Sequence, residues 1–350
     1  MLRLGIETRG EIETKAKIRV LILSPSKDGG LLRSLKHSTH APPSFIVTPM
    51  APSGHLDARA LVCVTVAMLT WSSAYAAISY ALAAFTPGEV ALARLSLALI
   101  CFLAWIGFRG VKLPPLRVWP PLMALGVMGL TLYHLCLNDA ETEIASGTAA
   151  IILALSPAVT GVASTVWLGE KLSARTIAGL AVAMMGVVLV VLTSGQSVSF
   201  QPKAALVLIS VLATSCYFVG QKPFLGRYPI EAVTTVTFIG GVITSIPFGY
   251  TLPHALMTAP PSRIAALVWL GLAPTFIGYL TWNMAIARAN VSKVTSFIYF
   301  SSPIALTIGW LWLGERPGPL TLIGAAIVIA GVVLTNARRR AAKPAAAGGS

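Results

Sequence analysis

The chain has 350 residues, 55% of them apolar and only 11% charged. A soluble domain carries about 25% charge, so this composition excludes an ordinary soluble globular protein and points to a membrane. The formal net charge of +14 would suggest a nucleic-acid partner in a soluble chain. Here the Lys and Arg residues fall between apolar runs and at the two ends, without aromatic interleaving, so no nucleic acid is expected.

Residues 1–57 are polar and end in a Pro/Ser/His-rich run. They read as a disordered basic extension, or as sequence upstream of a true start at Met50; Val20–Leu23 is too short for a signal-peptide core. From Ala60 the apolar runs follow quickly. About 20 helical residues cross a 30 Å hydrocarbon core. Ten runs qualify with some allowance at their edges: 60–81, 90–108, 122–137, 145–168, 176–192, 204–219, 232–250, 264–287, 294–313 and 320–335. Pro87-Gly88, Pro114-Pro115, Pro120-Pro121, Ser194-Gly195, Pro260-Pro261 and Pro317-Gly318-Pro319 punctuate them. The runs are continuous rather than alternating, so they predict helices and not barrel strands. A basic tail, 337–350, closes the chain.

With the N-terminus inside, the inner loops and tail hold Arg109, Lys112, Arg117, Lys171, Arg175, Lys222, Arg227, Arg288, Lys293, Arg338, Arg339, Arg340 and Lys343. The outer loops hold only Lys203, Arg263 and Arg316. That bias places both termini in the cytoplasm. The segment with Asp139, Glu141 and Glu143 has no basic residue, which suits an outer position. Cys63, Cys101, Cys136 and Cys216 lie in or beside apolar runs without a CxxC pair. They read as free apolar residues, with no metal site and no cofactor expected.

An internal repeat organises the whole. SPAVTGVASTVWLGEKLSARTIAGLAVAMMG from Ser156 returns as SPIALTIGWLWLGERPGPLTLIGAAIVIAG from Ser302. An offset of about 145 carries Gly126 onto Gly271, Asn138 onto Asn283, Glu170 onto Glu315, Gly179 onto Gly324 and Gly186 onto Gly331. Each half, 58–194 and 203–336, then has five helices. Five is odd, so the halves enter the membrane with opposite orientation: an all-α integral membrane fold of ten transmembrane helices as a 5+5 inverted repeat. Such repeats place a transport site near the midplane, between the halves.

These residues resemble paired EamA domains of the drug/metabolite transporter superfamily. The resemblance is carried by WNMAIARANVSKVTSFIYFSSPIALTIGWLWLGERPGPLTLIGAAIVIAGVVL, by SGTAAIILALSPAVTGVASTVWLGEKLSARTIAGLAVAMMGVVLVVL, and more weakly by TWSSAYAAISYAL and the LARL around Arg94. It covers about 58–336; NDAETEIAS departs from it by its acidity. It implies a secondary carrier in the inner or plasma membrane, an exporter of a small metabolite such as an amino acid. The alternatives are a drug exporter of the same fold or, from another class, a non-transporting sensor or scaffold. The substrate and the bilayer are the implied partners, with a proton or other coupling ion; the carrier would be a monomer or homodimer. No GxxxxGK[ST] loop and no HExxH occur, so neither an ATP motor nor membrane-enzyme chemistry is expected. The first helix has no carboxylate, unlike the small multidrug transporters that resemble one half, which argues against proton-coupled export of cationic drugs.

Several residues carry candidate chemistry. His134 with Asn138 is an i,i+4 pair, and the repeat maps it onto Tyr279 with Asn283; either pair would serve substrate binding or helix–helix hydrogen bonds. His134 is also the candidate proton carrier within a span. Trp71 with Tyr75, Tyr217 with Gln221, and Tyr299 would line a cavity for an amphipathic metabolite, or belong to interface belts. Pro157 and Pro303 lie deep in their helices and kink them, as gates or as static bends. Glu170 and Glu315 end their helices against the macrodipole, which calls for partners, and read as anchors. Arg94 also reads as an anchor that snorkels or finds an acid, and Glu89 as a residue at a helix start that stays wet. The paired glycines predict close helix approach.

Overall fold

The computed structural model describes residues 57–168, 174–193, 202–289 and 291–336. The extension with Met50, the basic tail and Glu170 fall outside the described residues. The helices in chain order are α1 (Ala58–Leu82), α2 (Pro87–Arg109), α3 (Leu116–Ala140), α4 (Ser146–Leu168), α5 (Ala174–Thr193), α6 (Pro202–Leu225), α7 (Ile230–Phe248), α8 (Pro261–Arg288), α9 (291–313) and α10 (Pro319–Asn336). A short helix, Leu252–Thr258, links α7 to α8. No strand occurs among the described residues. Each apolar run expected from the sequence coincides with one of these helices. Seven of them, α1–α4 and α6–α8, are long and apolar enough to cross a membrane, which makes this an all-helical, multi-pass membrane protein; the apolar stretches of α5, α9 and α10 are shorter.

Helix boundaries follow local chemistry. Asp57 accepts from the Ala60 amide at 2.7 Å and starts α1. Thr86 and Glu89 form a reciprocal capping box over Pro87 at the start of α2, and Gly110 ends that helix in the left-handed region at φ 62°. This corrects the expectation for Glu89. It is 4% exposed rather than wet, because both oxygens are used: one accepts from the Thr86 amide and the other from the Thr251 hydroxyl, each at 2.7 Å.

Both prolines of the repeat sit at breaks. α4 is interrupted at Ala154–Leu155 and resumes at Ser156, so Pro157 occupies the first turn of the second piece, where its missing N–H costs nothing. α9 runs as an α turn, a 3₁₀ segment Ser296–Phe300, and a new α segment from Ser301, with Pro303 in its first turn. α3 and α8 each contain a π-helical stretch, Val127–Leu132 and Gly271–Ile277, at positions the repeat relates. The repeat glycines bring α5 and α10 into backbone contact: a Cβ on Gly186 would lie 2.7 Å from the Gly324 carbonyl oxygen, and one on Gly331 2.6 Å from that of Gly179.

Candidate functional site

The breaks and the π stretches converge on one cavity, of about 30 Å³. That is room for a water or two, whereas ligand sites measure roughly 300–1,000 Å³. Trp71, Tyr75, Phe218 and Tyr279 form its aromatic wall, and Ser156, Ser301, Thr214 and His134 bring polar groups. Part of the lining obeys the repeat offset, for His134 answers Tyr279 and Leu153 answers Ile298; Ser156 and Ser301 form a third pair, one and two residues before the repeat prolines. Each member of these pairs lies just beyond a π stretch or at a proline break. An interrupted helix turns local backbone and short polar side chains toward a cavity, and such segments recur at functional sites.

Arg94 is the cavity's charge, and the repeat offset carries it onto the apolar Ile239. The sequence reads it as an anchor seeking an acid. Instead it is 3% exposed, its Nε donates to the Thr275 hydroxyl at 3.0 Å, and no ion pair among the described residues includes it. One terminal nitrogen, Nη1, is buried without a partner. Both ring nitrogens of His134 are likewise unpartnered, its ring edge-on to Tyr133 at 4.6 Å. The π stretch of α8 holds this arrangement, for Thr275 binds Arg94 while the Pro274 carbonyl accepts from the Trp71 indole at 2.8 Å.

The two i,i+4 pairs divide. His134 and Tyr279 reach the cavity, whereas Asn138 donates to the Pro87 carbonyl of α2 at 3.0 Å. Asn283 accepts from Gln221 at 3.0 Å and donates to Thr234 at 2.9 Å, tying α8 to α6 and α7. Tyr217 packs behind the wall, against Tyr279 at 6.2 Å, with its hydroxyl 3.5 Å from that of Thr237. Tyr299 is buried with an unpartnered hydroxyl. Trp71 and Tyr75 line the cavity as expected. Arg94, Tyr133, Thr214, Phe218 and the serine pair are lining residues that the sequence reading did not assign to a cavity. Ser156 and Ser301 carried a usable signal, since each shortly precedes a repeat proline.

Two carboxyl groups lie at one end of the bundle. Glu315, just beyond α9, accepts from the amides of Ser146 at 2.8 Å and Gly147 at 3.1 Å. α4 has no side-chain cap of its own, so this distant carboxylate supplies one. The partner its position calls for is thus a helix N-terminus. Glu141, one residue beyond α3, is 6% exposed; Oε2 accepts from Ser79 at 3.2 Å and Oε1 is buried without a partner.

A bundle of apolar helices, broken around a small central cavity with one unpaired cation in its wall, defines a membrane transporter. Residues 58–192 and 201–337 match the EamA-like transporter family, and the chain belongs to it. It is 33% identical over 280 residues to a "Probable terminal-alkyne amino-acid exporter" of Streptantibioticus cattleyicolor, covering 80% of this chain and 94% of that one. It is 24% identical over 200 residues to a "Probable amino-acid metabolite efflux pump" of Escherichia coli, covering 54% and 67%. A solved crystal structure, 22% identical, shares the fold with a TM-score of 0.59 over 79% of this chain and 96% of the other.

Proposed function

We propose that this carrier exports a small amino acid, whose carboxylate is received by Arg94 and whose side chain lies against Trp71, Tyr75, Phe218 and Tyr279. The observation that carries the reading is the buried, unpartnered Nη1 of Arg94 at the cavity wall. A charge at membrane depth costs about 2.5–3.5 kcal/mol on insertion scales, so an unpaired one is retained for what it binds. Guanidinium matches a carboxylate bidentately, which an ammonium cannot do. Ser156, Ser301, Thr214 and His134 supply further hydrogen bonds, and the names of the two relatives agree with this substrate class. A cationic drug would meet an uncompensated positive charge, which disfavours the multidrug reading.

The same proposal includes the architecture. Ten spans cross an inner or plasma membrane as two inverted halves, 58–194 and 203–336, with both termini cytoplasmic; the end with Glu141 and Glu315 is then the outer one. Rocking of the halves opens the cavity to either side, and the breaks at Pro157 and Pro303 are where α4 and α9 bend. The test is counterflow of L-propargylglycine, a terminal-alkyne amino acid, in proteoliposomes. Arg94→Gln abolishes it and Arg94→Lys retains only a small part; wild-type rates in Arg94→Gln would refute the reading.

A further inference from the structure

We propose that Glu141 is the proton-exchange site of this carrier, where an incoming proton and the α-ammonium group of the outgoing amino acid compete for one carboxylate. The inference rests on the carboxylate reading at Arg94 and adds the driving force.

The geometry is that of a carboxyl held out of water and left half-used. Oε2 is bound by Ser79 at 3.2 Å, and Oε1 is buried with no partner. No ion pair among the described residues includes Glu141, although Asp139 and Glu143 beside it both pair with Lys203, at 2.7 and 3.9 Å. Glu141 also stands one helical turn beyond the cavity: Leu137, whose carbonyl accepts the Glu141 amide at 3.0 Å, lines the wall, and so does Ile78 beside Ser79. The groups that act on it electrostatically are Arg94 from α2, Glu315 from beyond α9, Tyr75 from α1 and Tyr133 from α3. Of these groups Arg94 is the cation, and it stands in the cavity wall. A zwitterion with its carboxylate on Arg94 and its ammonium toward Leu137 and Ile78 presents that ammonium to the side of the cavity on which Glu141 stands.

The exchange balances. From outside, a hydronium ion transfers its proton to the Glu141 carboxylate; one O–H bond forms and water is released. In the inward-facing state an arriving amino acid presents its ammonium, the O–H bond breaks, and the proton passes to cytoplasmic water. The amino acid leaves outward as an intact zwitterion. Each cycle moves one proton in and one amino acid out, and because the two compete for a site, neither leaks with the other.

The experiment is infrared difference spectroscopy on the full chain in nanodiscs, with L-propargylglycine and its deamino counterpart 4-pentynoate as probes. The wild type shows a protonated-carboxyl band that titrates with pH. The band is absent in Glu141→Gln and returns, shifted, in Glu141→Asp, which keeps the test alive if the Gln variant does not insert. Propargylglycine diminishes the band and 4-pentynoate leaves it. A titrating band that survives in Glu141→Gln, or equal proton release by both probes, overturns the proposal. Arg94→Gln weakens both probes about tenfold or more; unchanged binding there refutes the carboxylate reading, while the ligand-free titration still judges Glu141. A wild type that binds neither probe overturns both the amino-acid reading and the competition.

Discussion

Glu315→Gln isolates the contact that holds the C-terminal end of α9 to the N-terminal end of α4. The carboxylate accepts two amide hydrogens, from Ser146 at 2.8 Å and Gly147 at 3.1 Å, at a helix start with no other side-chain cap. Glutamine keeps one acceptor oxygen and no charge. A hydrogen bond to a charged group is worth about 1.5–3 kcal/mol against about 0.5–1.5 for a neutral one. A carboxylate at a helix N-terminus adds about 0.3–1 kcal/mol. Counting one charged bond exchanged for a neutral one together with the helix-end contribution, the loss is at least about 2 kcal/mol for the first turn of α4, a factor of about 30 or more in its local opening. Amide hydrogen exchange of the segment 144–150 in nanodiscs reads this directly, and Ser146 and Gly147 exchange about 30-fold faster in the variant. Gly309→Ala perturbs the same contact without altering Glu315. Its Cβ would lie 2.6 Å from Glu315 Oε2 and 3.0 Å from Ser146 Oγ, so the carboxylate must swing away and exchange rises again. Wild-type exchange in both variants would refute the assignment of Glu315 as the cap.

Three further outcomes follow from the same geometry. Burial pushes the Glu141 carboxyl well above the usual carboxylate range; the Ser79 hydrogen bond opposes this, Glu315 adds to it and Arg94 opposes it. A raised carboxyl binds its proton more tightly folded than unfolded, so its contribution is present at low pH and is lost as pH rises from about 4.5 toward the raised value; Glu141→Gln flattens that fall in thermal scans. Asn283→Leu leaves the partners Gln221 and Thr234 wanting and costs about 1–3 kcal/mol, whereas Asn138→Leu removes a single bond to Pro87 and costs about 1 kcal/mol or less, an order that thermal inactivation in detergent checks. Gly186→Leu forces a side chain into the Gly324 and Val328 backbone, and destabilises the α5–α10 crossing by about 1–3 kcal/mol or more in the same assay.

The helices were legible because hydrophobic length is a property of the sequence itself, and the repeat was legible because its glycines and its Leu-Gly-Glu motif keep their spacing. The site was legible only in part. Spacing says that His134 and Asn138 share a helix face, but not that a π stretch and a neighbouring helix put one in the cavity and the other on the Pro87 carbonyl. Arg94 reads as an anchor because a sequence does not reveal what stands opposite; Thr275, which holds it, lies 181 positions away. The partner of Glu315 is 169 positions away for its nearer contact, so only the demand for a partner could be read beforehand.

The solitary guanidinium, whose place the repeat offset gives to Ile239 in the second half, bears on why the two halves share one polypeptide. Two identical half-length chains, paired head to tail, would set a pair of guanidiniums facing each other across their axis, or none. Like charges a few ångströms apart in a low-dielectric space repel strongly. Covalent fusion releases the halves from this identity. In the proposed carrier one half can then receive a carboxylate while the other offers aromatic faces and hydroxyls, so that a chiral, two-ended solute would be held in a single sense rather than in two equivalent ones.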